Sequence, residues 1–506
     1  MLQPSDLSSG LGIGLMVGLG AFMFLIAFAV RAMVKNTHSF VIAGRQIPLG
    51  FGVGSVIAVW TWSMAVMLSS AQAFNFGVSG LLWFIVPNGL AVMIMVPFAL
   101  RLRRQMPAGY TIIEFIRHRF ESRTASSVML AAMLFGLLAE ICINLFGVTL
   151  VMGVVFGLDD TAVLLISLGI VTVYSYFGGL WTSAITATFN TLLITVPAAI
   201  VVLYVLQDVG GPSFVFDQVK SANVSNVHPF RWETASAFGL SLALGLLAST
   251  MADQTFWQKV WAMKPRNLER TFVWAGLWFY PIPIVLGLLG LVGIAVGVTP
   301  EDLGSFGAGG VGPYVISHLG LPVFLIALYV LIICNACYSS IDGAFSALSS
   351  IVAVDVVKRA APKVSEKRLF AFTKASIIVA GVVGAIVASS GIDYVELVEI
   401  IFFLKAALVV PLALAIFWSR MTGPAFIVSV VAAIAIGFPI RQNVSELDGL
   451  LALMGVSIVA SLGISLLSRT RFDYGRLKET TTQLETETGV ELPIRMGAES
   501  LASETT

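Results

Sequence analysis

The stretch LIALYVLIICNACYSSIDGAFSALSSIVAVDVVKR, residues 325–359, decides the fold of this chain. It is long enough to cross a lipid bilayer, because about 20 apolar residues suffice for a spanning helix. Five polar residues recur in its middle at helical spacing and form one stripe on one face of the helix: Asn335, Ser339, Asp342, Ser346 and Ser349. Hydroxyls and a carboxylate at membrane depth are costly unless they meet a cavity, a partner or an ion. The stretch therefore predicts a helix that lines an ion and solute path; the alternative is that its small residues only pack helices together.

The composition is that of a membrane protein. Of 506 residues, 58% are hydrophobic and only 11% are charged, and the mean hydropathy is +0.93. A soluble domain carries roughly 25% charged residues. We therefore predict an all-α polytopic protein of the plasma membrane, with the lipid bilayer as a partner and without a nucleic-acid-binding face. The three cysteines lie in apolar segments, so packing is their expected role: Cys142, Cys334 and Cys337.

The apolar runs of the chain predict about thirteen transmembrane helices within residues 1–470. If the N-terminus lies outside, the loops after odd-numbered spans hold most of the 29 Lys and Arg residues. Cytoplasmic loops carry such an excess of positive charge, so an N-out, C-in orientation is predicted. Residues 471–506 are rich in Thr and Glu and are expected to form a polar, disordered cytoplasmic tail.

Polar residues within the spans are the candidates for function, since no HExxH, GxSxG or P-loop pattern supports an enzyme or an ATP-driven pump. The second span combines Gly, Ser and Thr with two tryptophans near its middle, which favours a helix that unwinds and exposes carbonyl oxygens to a cation. We predict that five residues of three spans line the solute path: Trp60, Trp62, Glu140, Asn144 and Asp253.

Each of these candidates also has a structural interpretation. The two tryptophans could be bulky fillers in ordinary helix packing. Glu140 and Asn144 share one helical face and could simply bond to a neighbouring helix. Asp253 could cap the helix that follows it or pair with Lys259. Lys405 is the only lysine deep in a span, and a buried ion pair with Glu396 or Glu399 would be purely structural: all three lie in the eleventh span.

Three stretches resemble the sodium/solute symporter family. They are FVIAGRQIPLGFGVGSVIA at 40–58, YSYFGGLWTSAITATFN at 174–190 and ALYVLIICNACYSSIDGAFSALSSIVAVDVV at 327–357. Within the family, TWSMAVMLSSAQAFNFGVSGLLWF at 61–84 and ADQTFWQKVWA at 252–262 look most like the urea and polyamine permease branch.

The resemblance implies a LeuT-like core, in which five helices and five more form an inverted repeat. The repeats would occupy spans 2–6 and 7–11, at about residues 47–207 and 236–418. The resemblance also implies a sodium site whose ligands are hydroxyl and carbonyl oxygens, which suit a hard cation. Its residues here would be Ala58, Thr61, Ala336, Ser339 and Ser340, and Asp355 matches the acidic position further along the same helix.

One departure from the family bears on stoichiometry. Many members read Thr-Asp-x-x-Gln where this chain has Thr186, Ala187 and Asn190. Because the carboxylate of a second cation site is missing, we predict one coupling ion per cycle.

The sequence thus predicts a sodium-coupled symporter, not an enzyme, that imports a small polar solute by alternating access. By branch resemblance the solute would be urea or a related amide or amine. A proton-coupled carrier, with Glu140 or Asp253 as the proton site, is the first alternative. A sodium symporter of an amino acid or a monocarboxylate is the second, and it would need a cation such as Lys405 for the carboxylate.

Overall fold

A computed structural model of the protein describes residues 7–390, 394–478 and 484. The described residues are almost wholly helical and contain no strand; one isolated β-bridge joins Ile47 to Met263. The all-α fold predicted from composition is therefore confirmed.

The helices follow one another in the order in which they are numbered. The first half of the chain contains α1 (Ser9–Val30), α2 (Thr37–Ile42), α3 (Leu49–Trp60), α4 (Ser63–Gln105), α5 (Ile112–Phe120), α6 (Arg123–Phe156), α7 (Asp160–Asp208), α8 (Gly211–Ala222) and α9 (Trp232–Thr234). The second half contains α10 (Leu240–Met251), α11 (Gln254–Ala262), α12 (Leu268–Phe279), α13 (Pro281–Ala295), α14 (Val311–His318), α15 (Val323–Ile351), α16 (Lys358–Ala360), α17 (Glu366–Ala388), α18 (Tyr394–Phe417), α19 (Gly423–Asn443) and α20 (Glu446–Leu467).

Among the described residues, 11 helical segments are long and apolar enough to span a membrane. Two of them, α4 with 43 residues and α7 with 49, leave helical geometry at Gly77 (φ 64°) and Gly179 (φ 49°). Glycine tolerates these positive φ angles at no steric cost. The sequence predicts separate spans on either side of each break, at 47–74 and 80–100 and at 161–178 and 184–207. The count of thirteen, the orientation and the repeat boundaries stay predictions.

Two further helices are interrupted near their middle. Helix α3 ends at Trp60, Thr61 is non-helical (φ −85°, ψ 69°), and α4 begins at Ser63. Helix α10 ends at Met251, and α11 begins after Asp253, whose carboxylate accepts a 2.8 Å hydrogen bond from the Thr255 amide. Such caps satisfy the free N–H groups of a new helix start. The unwinding predicted for the second span is confirmed.

Helix α15 is the buried centre of the fold. It packs against α3, α6 and α7, and all five residues of its polar stripe are buried. Gly343 permits the close approach to α3, since a Cβ atom there would lie 2.5 Å from Val59. The short helix α14 precedes it as a separate element.

The predicted tail lies mostly outside the described residues. Its beginning is folded against the helical domain: the amide of Phe472 donates to the Ser419 carbonyl (2.9 Å), and the Tyr474 hydroxyl donates to the Ala415 carbonyl (2.8 Å). Residues 479–483 and 485–506 are outside the described part of the chain.

Candidate functional site

Oxygen atoms of α15 and of the break after α3 meet in the buried centre of the protein. The hydroxyl of Ser339 donates to the carbonyl oxygens of Ala58 (3.2 Å) and Ala336 (2.9 Å). The hydroxyl of Ser340 lies 3.4 Å from the Thr61 carbonyl oxygen. The structure thus brings together all five residues that the family resemblance implies for a cation site. We call them the oxygen cluster.

The oxygen cluster contains hydroxyl and carbonyl oxygens and no carboxylate. It lies at the C-terminal end of α3, where the helix dipole places a partial negative charge. Hard cations prefer oxygen ligands of this kind. The arrangement can hold a monovalent cation without leaving an uncompensated carboxylate at membrane depth when the cation departs.

The remaining stripe residues of α15 have other partners. Asp342 accepts a hydrogen bond from the Ser175 hydroxyl, and the Asn335 amide donates to the Asn190 carbonyl (3.2 Å); both contacts join α15 to α7. Ser349 bonds within its own helix, to the Ser346 carbonyl (2.6 Å). Of the five stripe residues, Ser339 is therefore the one whose hydroxyl contacts α3.

A small cavity lies beside the oxygen cluster. Its volume is about 10 Å³, which is room for about one water molecule, and six residues from four helices and one break line it: Trp60, Trp62, Asn88, Leu246, Ser249 and Phe402. The indole N–H of Trp60 donates to the Asn88 carbonyl (3.2 Å), whereas the indole nitrogen of Trp62 is buried without a hydrogen-bond partner. An unpaired buried donor is costly, so a ligand with an acceptor oxygen would stabilise it.

Aromatic rings form the walls of this cavity. The rings of Trp62 and Phe402 are inclined by 26°, with centroids 6.4 Å apart, and Trp60 meets Trp62 at 60°. Flat apolar walls with few polar groups are typical of sites for small molecules. The structure therefore places two of the predicted path residues, Trp60 and Trp62, in a cavity wall.

Glu140 and Asn144 lie behind the cavity and are not among its lining residues. The Asn144 carbonyl oxygen accepts a 2.9 Å hydrogen bond from the amide of Ser63, at the start of α4, and its amide group donates to the Glu140 backbone. The carboxyl group of Glu140 is buried within hydrogen-bond reach of the Asp253 carboxyl group, and the ammonium groups of Lys405 and Lys259 act on it electrostatically. Asn144 therefore holds the start of α4 in place after the break. The part of Glu140 and Asn144 in a solute path stays a prediction.

Asp253 and Lys405 form a buried salt bridge of 2.9 Å between the break after α10 and helix α18. The Lys405 ammonium also donates to the Ser249 hydroxyl (3.2 Å), which lines the cavity. The sequence also suggested an ion pair of Lys405 with Glu396 or Glu399. For Glu399 this is wrong, because its carboxylate pairs with Arg441 at 2.7 Å. Residues six apart do not share a helical face, so Lys405 and Glu399 point in different directions.

Two buried glutamines of α11 bind this helix to its neighbours. Gln254 accepts from the Ile112 amide (3.0 Å) and donates to the Tyr110 carbonyl (3.1 Å). Gln258 donates to the backbones of Val41 and Ser346. These bonds tie α11 to α2, α15 and the segment before α5.

Four lining residues were missed by the sequence interpretation: Asn88, Leu246, Ser249 and Phe402. Ser249 stands one helical turn before Asp253, which is the one local signal that could have indicated it. Asn88 and Phe402 lie within long apolar helices, where nothing in a single sequence separates a cavity wall from ordinary packing. The described residues contain no cluster of His, Cys, Asp and Glu that could hold a metal ion.

Residues 16–431 match the model of the sodium:solute symporter family. Among curated proteins, the chain is 25% identical to the probable urea active transporter 1 of Schizosaccharomyces pombe, over 75% of this chain and 61% of that protein. It is 22% identical to the urea-proton symporter DUR3 of Oryza sativa subsp. japonica, over 95% of this chain and 74% of that protein. The chain thus spans about three fifths of the first relative's length.

Solved structures show the same fold. The substrate-bound, outward-open Na⁺-coupled sialic acid symporter superimposes with a TM-score of 0.76 at 19% identity, covering 92% of this chain and 98% of that one. Mhp1, a nucleobase-cation-symport-1 family transporter, superimposes with a TM-score of 0.54 at 12% identity, covering 88% of this chain and 99% of that one. The fold is that of the LeuT-like transporters, as the resemblance implies.

Proposed function

The chain belongs to the sodium:solute symporter family, and we propose that it uses the Na⁺ gradient to import urea or a related small amide by alternating access. Its family and its relatives are transporters, so the protein is a multi-pass membrane transporter and not an enzyme. The identities of the coupling ion and of the solute are our proposal.

The observation that carries sodium coupling is the oxygen cluster. Ser339 and Ser340 of α15 face the carbonyl oxygens of Ala58 and Thr61 across the break in α3. A cation placed among them would replace the present hydroxyl–carbonyl hydrogen bonds with ion–oxygen contacts. Because these residues belong to two helices, such an ion would hold α3 and α15 together.

The solute proposal is supported by the cavity wall. Trp62 offers an unpaired indole N–H, which a carbonyl oxygen of urea or an amide would accept. The rings of Trp60, Trp62 and Phe402 would stack against a small planar molecule when the site widens during the transport cycle. An amino acid or monocarboxylate has less support, since the Lys405 ammonium beside the cavity is already paired with Asp253.

The two sites share one segment of backbone, and this gives a mechanism for coupling. Residues 58–62 carry two carbonyl oxygens of the oxygen cluster and both tryptophans of the cavity. An ion that fixes this segment would also order the cavity wall, so ion and solute would bind cooperatively. Release of the ion would loosen the same segment and favour release of the solute.

Proton coupling is the second candidate function, and Glu140 favours it. Its carboxyl group is buried beside the Asp253–Lys405 pair, within hydrogen-bond reach of the Asp253 carboxyl group. A carboxyl group in such a place can exchange a proton with the transport cycle. The rice relative is named as a urea-proton symporter.

Uptake in proteoliposomes tests both candidates. Radiolabelled urea, acetamide, an amino acid and a monocarboxylate are supplied under a Na⁺ gradient or under a pH gradient without sodium. Sodium coupling predicts urea uptake that needs Na⁺ and persists in Glu140→Gln. Uptake that follows the pH gradient, survives sodium removal and is lost in Glu140→Gln would establish proton coupling instead.

A further inference from the structure

We propose that residues 472–478, which we call the strap, limit the rate of the transport cycle by holding the end of α18 against α5 while they are docked. The inference goes beyond the proposed ion and solute, because it concerns how fast the transporter changes conformation and not what it carries. It gives a role to a folded part of the tail that neither the oxygen cluster nor the cavity involves.

The strap packs across the ends of α4, α5 and α18 on the predicted cytoplasmic side. The Phe472 amide donates to the Ser419 carbonyl at 2.9 Å, and the Tyr474 hydroxyl donates to the Ala415 carbonyl at 2.8 Å. Further along the strap, the side chain of Leu477 is buried. The strap therefore has both polar and apolar contacts with the helical domain.

Arg119, near the end of α5, is the residue that the strap covers. Its guanidinium donates at 3.0–3.2 Å to three backbone carbonyls, at the end of α18 and in the loop after it: Ala415, Trp418 and Met421. On its other side, the ring centres of Phe472 and Tyr474 lie 4.4 and 5.3 Å from its Cζ atom. Helix-end carbonyls and ring faces both carry partial negative charge, so together they replace the water that this 3% exposed cation has lost.

The docked strap can be released without a large loss of stability. Undocking would return the Arg119 guanidinium to water, and hydration of the cation would offset much of the loss of its ring contacts. The ion pair of Arg476 with Glu121, at 3.2 Å, lies at the surface, where such pairs contribute little. Leu477 is the one fully buried side chain of the strap. Docked and released states are therefore close in free energy, as a regulatory contact requires.

Two helices connect the strap to the transport sites. Helix α18, whose end the strap holds, carries Phe402 of the cavity wall. Helix α5 has nine residues, and at its other end the Thr111 hydroxyl donates to the Asp355 carboxylate at 2.6 Å, just beyond α15. The backbone at the start of α5 also binds Gln254 of α11. A docked strap therefore restrains every step of the cycle in which α18 moves against α5.

The test compares the wild type with Phe472→Ala/Tyr474→Ala, which removes both rings and the tyrosine hydroxyl from the strap. Arg119→Gln is a second variant, because a glutamine side chain cannot donate to all three carbonyls at once. Thr470→Ala is the matched control, since this residue is exposed and lies just before the strap.

Two readouts are used, and only the first needs a transported solute. The first is the turnover number of urea uptake in proteoliposomes. The second is the rate at which a small methanethiosulfonate reagent modifies Ser249→Cys, a reporter placed in the cavity wall of each protein. The same proteins without the reporter correct for the three native cysteines, which are buried. The melting temperature of each protein is recorded as well, so that a loss of stability is seen separately.

We expect Phe472→Ala/Tyr474→Ala and Arg119→Gln each to raise the turnover number and the labelling rate at least threefold, and Thr470→Ala to change neither. If the melting temperature falls while turnover and labelling stay at the wild-type values, the strap only stabilises the fold and the proposal is refuted. Slower turnover in both variants would also refute it. If the wild type transports no urea, the proposed solute fails. The strap is then judged by labelling alone, and equal rates in all four proteins overturn it.

Discussion

The hydroxyl of Ser339 lies 3.2 Å from the carbonyl oxygen of Ala58, although the two residues are 281 positions apart in the chain. The contact joins the buried helix α15 to the end of α3. It is possible because α3 stops at Trp60, so that the Ala58 carbonyl oxygen accepts only a 3.3 Å bond from the Thr61 amide within the backbone and can accept a second bond. This contact lies within the proposed ion site.

Removing one hydroxyl of the oxygen cluster should weaken sodium binding. We expect Ser339→Ala and Ser340→Ala each to raise the Na⁺ concentration for half-maximal uptake roughly tenfold, which corresponds to about 1.4 kcal/mol. Ser349→Ala is the matched control, since that serine is equally buried on α15 and bonds only within its own helix. Sodium dependence that is the same in both variants and in the control would refute the assignment.

The indole N–H of Trp62 should contribute to urea binding in addition to its aromatic ring. Trp62→Phe keeps an aromatic wall and removes the unpaired donor, so the KM for urea should rise about five- to tenfold, as expected for one hydrogen bond of about 1 kcal/mol. The turnover number should change little if the bond is equally strong throughout the cycle. Trp83→Phe is the control, because the Trp83 indole nitrogen is also unpaired but does not line the cavity. Equal effects of the two changes would exclude the proposed contact.

The transport cycle should move one positive charge per neutral solute. Position 187 is alanine, which cannot supply the carboxylate that a second cation site of the family would need. The check is to record the transport current and the radiolabelled flux in the same liposomes. A ratio clearly above one charge per solute would show that a second ion is carried.

Helix α3 should tolerate no larger side chain at Gly54, where it packs against α7. A Cβ atom at Gly54 would lie 2.6 Å from the Thr188 hydroxyl and 2.8 Å from its Cα atom. Gly54→Ala should therefore cost about 1–3 kcal/mol of stability and lower the melting temperature in detergent. Gly14→Ala on α1 meets nothing within 4 Å and should leave the melting temperature unchanged or raise it slightly, because alanine is favoured over glycine within a helix. A Gly54→Ala variant as stable as this control would contradict the packing described here.

Acid should destabilise the segment that carries His38. This residue lies in α2, outside the spanning helices, and its Nδ1 atom lies 2.9 Å from the Tyr110 hydroxyl. Burial, reinforced by the charge of Arg45, lowers the pKa of His38 from 6.5 to about 4. Between pH 6.5 and 4, His38 is therefore protonated in the unfolded chain but neutral in the folded protein. The free energy of unfolding is highest above pH 6.5 and decreases as the pH falls toward 4.

The measurement is the melting temperature against pH for the wild type and for His38→Gln, which cannot titrate. The decrease between pH 6.5 and 4 should be smaller in the variant. Two parallel curves would show that His38 is not the group responsible.

The pattern within single segments predicted a good part of the site. The polar stripe indicated α15 as the central helix, and the glycines, serines and tryptophans around position 60 indicated where the second span unwinds. The residues of the oxygen cluster came from the family resemblance, and the stripe alone would have missed Ser340, which lies one position off it. What could not be predicted was the wall of the cavity, because Asn88, Ser249 and Phe402 come from three different helices.

Lys405 is the clearest case of a residue whose partner could not be predicted from sequence. Its nearest acidic residues in sequence are on its own helix, yet its partner is Asp253, 152 positions away. That choice depends on Gly136 leaving room for the lysine stem and on the break that exposes Asp253.

The sequence by itself determined the membrane character, the polar helix and the family, because composition and helical period are local properties of the chain. Only the tertiary structure decided which carbonyls meet Ser339, which rings enclose the cavity and which carboxylate binds Lys405. These pairings are set by how helices distant in sequence pack, and packing depends on the shapes of all neighbouring side chains at once.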